Sequence, residues 1–391
     1  MVTSLLLQQL ENQGYCAAKD IERDYSLSNT VQLDNLERLE KNILEQKIKE
    51  IVDSFAVSEE TVYSIYYGLL MGNVILEGPP GTGKTTLART ICRDLFNIHL
   101  EEATANIEWT VYDLVGRKTL ELKNGKEMVV PEDGHITRSV VKCCQQIALH
   151  EEEETQEQAV WLLIDEINRC KIDRAFGEFF TVLAGTNDRK LILPHQSGNN
   201  KCLFVPKRFR IVGTMNSIDK SFVNSFSQAF ARRFHFVTVD IPKTTSLIKK
   251  ESDVTQRVAI KEVAELLDVA ESDVSVKADN ETIISLLSEI DQFVNLVRFG
   301  KDNCPAILPL GTAQVIDVKK AFLLRLIADE DSVDATYCMN WALNSKLLSQ
   351  FDAVNISEEA QLAFIEAIPG NLKGIKNNVQ TIWGLFEGSE T

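Results

Sequence analysis

The sequence predicts an α/β fold: a parallel sheet flanked by helices, with a helical segment before it and an all-α region after it. Three observations carry this. The apolar run Val74-Ile75-Leu76 leads into Gly78-Pro79-Pro80-Gly81-Thr82-Gly83-Lys84-Thr85, a complete G-x-x-x-x-G-K-T string, and a helix-like stretch follows over residues 86–97. Further on, Val160-Trp161-Leu162-Leu163-Ile164 reads as a buried strand that ends in the acidic pair Asp165-Glu166. Strand and helix patterns alternate as far as Pro242, as crossover connections in a parallel sheet require, and only helical patterns follow.

At 391 residues the chain is long for one core and suits two or three compact units. The patterns divide it into an N-terminal helical segment (1–55), a nucleotide-binding domain (56–242) and a C-terminal helical domain (243–391). A net charge of −16 argues against broad wrapping of nucleic acid and leaves room only for a local basic groove. No apolar run reaches membrane-spanning length, and Met1-Val2-Thr3-Ser4-Leu5 is soon followed by glutamines and acids, unlike a signal peptide. The 8 cysteines form no C-x-x-C pair, so free thiols in a reducing, cytoplasmic setting are expected, and no cysteine-based metal site.

Taken in order, Leu36, Leu39, Ile43, Ile48 and Ile51 approximate a helical stripe in the first segment. Ser58, with Glu59 and Glu60 behind it, caps a helix that runs to Met71 and delivers the chain to the loop strand. Asn124-Gly125 is a two-residue turn signal between strands at 119–122 and 126–130. A second hairpin pairs 191–193 with 202–205 around Ser197-Gly198-Asn199-Asn200, and the acidic run His150-Glu151-Glu152-Glu153-Glu154 reads as a solvated helix end. Cys143-Cys144 lie on a helix pattern. Residues 249–281 are polar and acid-rich, and read as a linker around one amphipathic helix. Ile283, Leu286, Leu287, Ile290, Phe293, Val294 and Val297 form a stripe that stops near Gly300, and further helices are expected over 312–328, 334–348, 357–368 and 375–386.

The chemistry of these motifs is that of nucleoside triphosphates. Glycines let backbone N–H groups turn inward around a phosphate, and the helix that starts there adds its partial positive end. The loop therefore nominates Gly78, Pro79, Pro80, Gly81, Thr82, Gly83, Lys84, Thr85 and Thr86 as nucleotide-binding, with Lys84 on the β- and γ-oxygens and the Thr85 hydroxyl on Mg2+. Asp165 at a strand end can hold the same metal, and Glu166 can polarise a water for attack on the γ-phosphate. Phe209-Arg210-Ile211-Val212-Gly213-Thr214-Met215-Asn216 is a further strand tipped by Asn216, which can align that water. Arg232 and Arg233 precede a last apolar strand, and a guanidinium there can neutralise charge on a transferring phosphoryl.

Together the loop, Leu163-Ile164-Asp165-Glu166-Ile167-Asn168-Arg169, Gly213-Thr214-Met215-Asn216 and Ala231-Arg232-Arg233-Phe234 resemble the AAA+ ATPases. The Asp-Glu-Ile-Asn-Arg string, Asp113-Leu114-Val115-Gly116-Arg117 and the two hairpins resemble the branch that holds MoxR proteins, the McrB restriction motor, dynein and midasin. The resemblance spans roughly residues 56–242, with a less specific helical lid after them. It implies that Lys84 and Thr85 are Walker A residues, Asp165 and Glu166 the Walker B pair, and Asn216 sensor 1. It also implies that Arg233, or Arg232 beside it, acts in trans within a ring, usually a hexamer, and that Arg169 faces the subunit boundary. One departure stands out: Leu308-Pro309-Leu310-Gly311-Thr312-Ala313-Gln314 resembles the sensor 2 region but offers Gln314 where an arginine is common.

Three functions fit this reading. The foremost is an ATP-hydrolysing AAA+ ring motor that remodels or drives a partner protein, such as a von Willebrand-type adaptor. An alternative is an McrB-like NTPase, using ATP or GTP, that works on DNA with a separate nuclease. It draws on Met215-Asn216-Ser217-Ile218-Asp219-Lys220, which is similar to the McrB pattern. The last is a scaffold that assembles when nucleotide binds.

Overall fold

The computed structural model describes residues 36–123, 126–151, 155–177, 179–183, 190–196, 202–217, 227–302, 304–329 and 333–385. The two turn residues Asn124 and Gly125, the 197–200 loop, Glu152 to Glu154 and the Ile218-Asp219-Lys220 string lie outside these. The chain forms two compact units: Asp240–Thr391 joins Asp53–Ala56 and Pro79–Gly83 in the second, and the rest belongs to the first.

Among the described residues the first helix is α1 (Lys41–Ser54), whose buried face is Leu44, Ile48 and Ile51. Of the expected stripe, Ile48 and Ile51 are buried, Ile43 is 41% exposed with Leu44 buried in its place, and Leu36 and Leu39 lie before the helix. The spacing 44, 48, 51 keeps one face of a 3.6-residue helix, whereas Ile43 falls off it. Next comes α2 (Glu59–Met71), with the Ser58 side chain accepting from the Thr61 N–H as an N-cap.

Five strands then make the central sheet: β1 (Asn73–Gly78), β2 (Ile98–Thr104), β5 (Ala159–Asp165), β8 (Ile211–Asn216) and β9 (Phe234–Thr238). Their order is β2-β5-β8-β1-β9, and every pairing is parallel. Val74, Ile75 and Leu76 in β1 and Leu162, Leu163 and Ile164 in β5 are buried, as continuous apolar runs in a parallel sheet covered on both faces should be. The connections are α3 (Lys84–Phe96) after β1, α4 (Val111–Leu114) and α5 (His135–Glu151) before β5, and the short α6 (Ile172–Phe176), α7 (Phe179–Leu183) and α8 (Gln228–Ala231) further on. Cys143 and Cys144 are both buried on α5.

Both expected hairpins are present and stand apart from the main sheet: β3 (Gly116–Lys123) with β4 (Lys126–Asp133), and β6 (Lys190–Ile192) with β7 (Cys202–Phe204). The first extends further than its apolar residues suggested, because Arg117 and Glu132 face each other in register and pair at 2.8 Å.

The second unit is helical: α9 (Thr245–Leu267), α10 (Glu271–Ala278), α11 (Glu281–Phe299), α12 (Thr312–Ala328), α13 (Ala335–Lys346), α14 (Glu358–Ala367) and α15 (Lys373–Ile382). Residues 249–281 are not a linker: they lie mostly in α9 and α10. The inward side of α9 is built from Glu251, Val254, Thr255, Ala259, Ile260, Val263 and Ala264, an apolar stripe interrupted by Glu251, Thr255 and two alanines. Its polar members are paired. The Arg298 guanidinium on α11 bonds both oxygens of Glu251, and Lys319 on α12 bonds Thr255 Oγ1 and Asp291. The α11 stripe is as expected and ends at Gly300, whose φ of 67° suits a glycine. No helix among the described residues is long and apolar enough to cross a membrane.

Candidate nucleotide-binding site

The tips of β1, β5 and β8 lie side by side, since Gly78 pairs with Asn216 and Ile164 with Gly213. This is the C-terminal edge of a parallel sheet, where open α/β folds bind their ligands. Five of the expected chemical groups meet there: Asp165, Glu166 and Asn216 end or directly follow a strand, and Lys84 and Thr85 open the helix after β1.

Lys84 opens α3 and is 6% exposed. Its Nζ donates to the Gly78 carbonyl at 3.0 Å and to Asn216 Oδ1 at 3.1 Å. The other face of that amide, Asn216 Nδ2, reaches Glu166 Oε1 at 3.3 Å. Asn216 thus bridges the loop lysine and the candidate base. Thr85 Oγ1 donates to Asp165 Oδ1 at 2.7 Å. Thr86, one residue on, is exposed on α3.

Thr214 is a residue that the sequence reading passed over. Its hydroxyl donates to Asp165 Oδ1 and accepts the Glu166 N–H at 3.1 Å, so one buried side chain fixes both acids. Glu166 itself sits in the left-handed region (φ 52°, ψ 43°), an uncommon conformation for a residue with a Cβ. There it caps a single turn, Ile167–Arg169, and its Oε2 pairs with Arg169 Nε at 2.7 Å. A polar residue two before Asn216 was the only signal for Thr214, and it does not distinguish a site residue from a strand residue.

The donor set fits magnesium. A hydroxyl and a carboxylate stand side by side, and this ion binds through one or two carboxylates while phosphate oxygens and waters complete its shell. Thr85 and Asp165 would hold it, and it would supply charge neutralisation at the phosphates. Beside the site, the Arg89 guanidinium holds the Glu102 carboxyl below the usual carboxylate range, against the opposing effects of burial and of Asp165. Burial pushes the Cys170 thiol up to about 12, so it is no nucleophile.

The remainder of the loop, Pro79–Gly83, groups with the second unit. Gly81 and Gly83 have φ of 75° and 79°, as a loop that turns its amides inward needs. Thr82 Oγ1 donates to the Pro79 carbonyl. The start of α12 lies against this loop: the Ala313 N–H donates to the Gly81 carbonyl at 2.8 Å, and a Cβ on Gly81 would fall 2.3 Å from Gln314 Oε1. Gln314 in turn accepts from the Gly311 N–H at 2.7 Å, the half of a capping box that a glycine N-cap can make.

Arg232 and Arg233 are not brought to this cluster. They directly precede β9, whose first residue Phe234 pairs with Asn73, the first residue of β1. Five residues of strand separate Asn73 from Gly78, about 17 Å at the usual rise per residue. Phe230 and Phe234 bury their rings against each other at 4.5 Å on either side of the pair, and Arg232 is exposed while Arg233 is half-buried. Asn73, also unforeseen, ties this end together: its Oδ1 accepts the Ile211 N–H and its Nδ2 donates to the Arg233 carbonyl.

A point mutant of Thermotoga maritima RuvB is 13% identical, with 84% of this chain and 83% of that chain covered at a TM-score of 0.41. No curated protein matches the chain significantly. Residues 73–234 match the sequence profile of the AAA domain (dynein-related subfamily), a span that runs from the start of β1 to the first residue of β9 and takes in Lys84, Thr85, Asp165, Glu166, Asn216, Arg232 and Arg233. That stretch of the chain is an AAA domain of the dynein-related subfamily, a class of domain that hydrolyses nucleotides.

Proposed function

We propose that this chain is an ATP-hydrolysing ring motor in which each nucleotide is processed between two copies. The observation that carries this reading is the separation of chemical groups in one chain. Lys84, Thr85, Asp165, Glu166 and Asn216 share the C-terminal edge of the sheet, whereas Arg232 and Arg233 directly precede β9 at the opposite edge. An arginine that far from its own phosphate loop can serve only a nucleotide held by another copy. Lys84 and the loop amides bind the phosphates, Thr85 and Asp165 hold Mg2+, Glu166 and Asn216 orient the attacking water, and Arg233 or Arg232 of a neighbour neutralises the transferring phosphoryl. Hydrolysis then depends on assembly, and the two hairpins outside the main sheet are the elements suited to pass motion to a partner protein.

Mixing inactive subunits tests this. Glu166→Gln lacks the base, and an Arg232→Ala/Arg233→Ala chain lacks the finger, a loss expected to cost roughly 10³–10⁵ in kcat. Each alone should be inactive, and a mixture should regain turnover, because the Glu166→Gln subunit still lends its arginines to a neighbour with an intact base. If the double-alanine chain turns over normally at high dilution, the reading fails. The McrB-like alternative draws on Met215-Asn216-Ser217 and is favoured if duplex DNA stimulates turnover or GTP outcompetes ATP.

A further inference from the structure

We propose that Thr312, gripped by the buried Glu251–Arg298 pair, is a positioning residue that holds the phosphate loop ready for nucleotide. The inference rests on nucleotide binding at that loop, as proposed above, and assigns part of the affinity to the helical unit. Glu251 on α9 and Arg298 on α11 are 4% and 3% exposed. A pair so buried carries a large desolvation cost, and its remaining lone pairs and protons need partners. Here both go to one short segment. Arg298 Nε donates to the Leu310 carbonyl at 2.7 Å, and the Thr312 hydroxyl donates to Glu251 Oε1 at 2.6 Å. The pair therefore holds the chain on both sides of Gly311.

Gly311 is where this segment meets the loop residues Pro79–Gly83, which belong to the same compact unit. A Cβ on it would fall 2.3 Å from the Gly81 carbonyl carbon and 2.4 Å from the Pro80 oxygen, so only glycine allows the approach. Two residues on, the Ala313 N–H donates to the Gly81 carbonyl at 2.8 Å. In a trans peptide the carbonyl and the N–H point opposite ways, so this bond turns the Thr82 N–H away from α12. That amide is one of the donors a phosphate loop offers its ligand. Gly81 and Gly83, at φ of 75° and 79°, have many other conformations open to them. An unanchored loop would adopt the competent one only part of the time, and its apparent Kd would rise by the inverse of that fraction. The grip on Leu310 and Thr312 removes this cost.

The experiment is titration of the full chain with a fluorescent ATP analogue, with urea unfolding of each variant alongside. Thr312→Val keeps the shape and loses the bond to Glu251; Kd should rise about three- to ten-fold, the share of a charge-assisted bond that reaches the loop. Thr312→Ser, which retains the hydroxyl, should bind as the natural chain does. Gly311→Ala should raise Kd at least as far, because α12 has to leave the loop. The control is Thr255→Val, which removes a partner of Lys319 in the same unit, away from this segment, and should leave Kd unchanged. An unchanged Kd in Thr312→Val, or a serine variant as weak as the valine one, overturns the proposal. Equal weakening by Thr255→Val also overturns it, since affinity would then follow the stability of the helical unit alone. Failure of the natural chain to bind the analogue overturns the role of the loop itself, and this inference with it.

Discussion

Replacing Thr214 by valine isolates one hydroxyl at the centre of the site. Thr214 is 1% exposed, and valine keeps its shape, so packing is retained. Two hydrogen bonds are lost. The one to Asp165 Oδ1 involves a charged acceptor and is worth about 1.5–3 kcal/mol, and the Glu166 N–H is left without its partner at a further ~1–3 kcal/mol. Because each unit relaxes locally, a net loss of about 2–4 kcal/mol is expected in the stability of the first unit. Part of that loss appears in catalysis, since the left-handed turn at Glu166 loses the anchor that aims its carboxylate. At ~1.36 kcal/mol per decade, a loss of even half this size lowers kcat roughly ten-fold. The control is Thr214→Ser, which retains the hydroxyl and deletes one methyl group, at a cost of ~1 kcal/mol in packing and none in hydrogen bonds. The assay is phosphate release at saturating ATP, paired with urea unfolding of both variants. Equal kcat for the serine and valine variants would refute the assignment of Thr214 as the group that orders both acids.

Two other outcomes follow from the second unit. Arg298→Met should destabilise that unit by about 3–5 kcal/mol, because it strands the carboxylate of Glu251 in a buried setting; pairing it with Glu251→Leu should restore much of the loss, read from urea midpoints in a double-mutant cycle. Gly81→Ala should abolish nucleotide binding measured by fluorescent-nucleotide titration while the fold survives, since φ is 75° there and a Cβ would meet Gln314, and an alanine variant that binds normally would show the loop conformation to be dispensable.

The legible part of this molecule is the part where strand and chemistry share one local string. Val74 to Thr85 and Val160 to Glu166 each spell a buried strand and the polar group it delivers, so the sequence alone names both the element and its load. The tip of β8 was readable for the same reason. What escaped is what depends on residues far apart in the chain. Thr214 and Asn73 are ordinary strand residues until the register places them against Asp165 and Arg233. The error over 249–281 has a related cause. Glu251 and Thr255 look like solvent residues in a polar stretch, but Arg298 and Lys319, contributed by later helices, let them be buried. Periodicity counts apolar residues and cannot count charges that will be matched from elsewhere.

The parallel register ties the location of the arginines to the logic of the whole site. In a sheet whose strands all run one way, a residue before a strand and a residue after its neighbour are separated by the full strand length, whatever the loops do. Arg233 before β9 and Gly78 at the end of β1 are such a pair, and Asn73 locks the offset by holding the Arg233 carbonyl and the Ile211 N–H together. No rotamer of Arg233 spans that distance, because its side chain extends only about 7 Å at ordinary bond lengths. Sequence proximity of the arginines to the sensor strand therefore misleads, since within one chain they are at the wrong end of it. In the proposed reading the arginines serve a nucleotide held by another copy, and the Phe230–Phe234 stack flanks them just before β9.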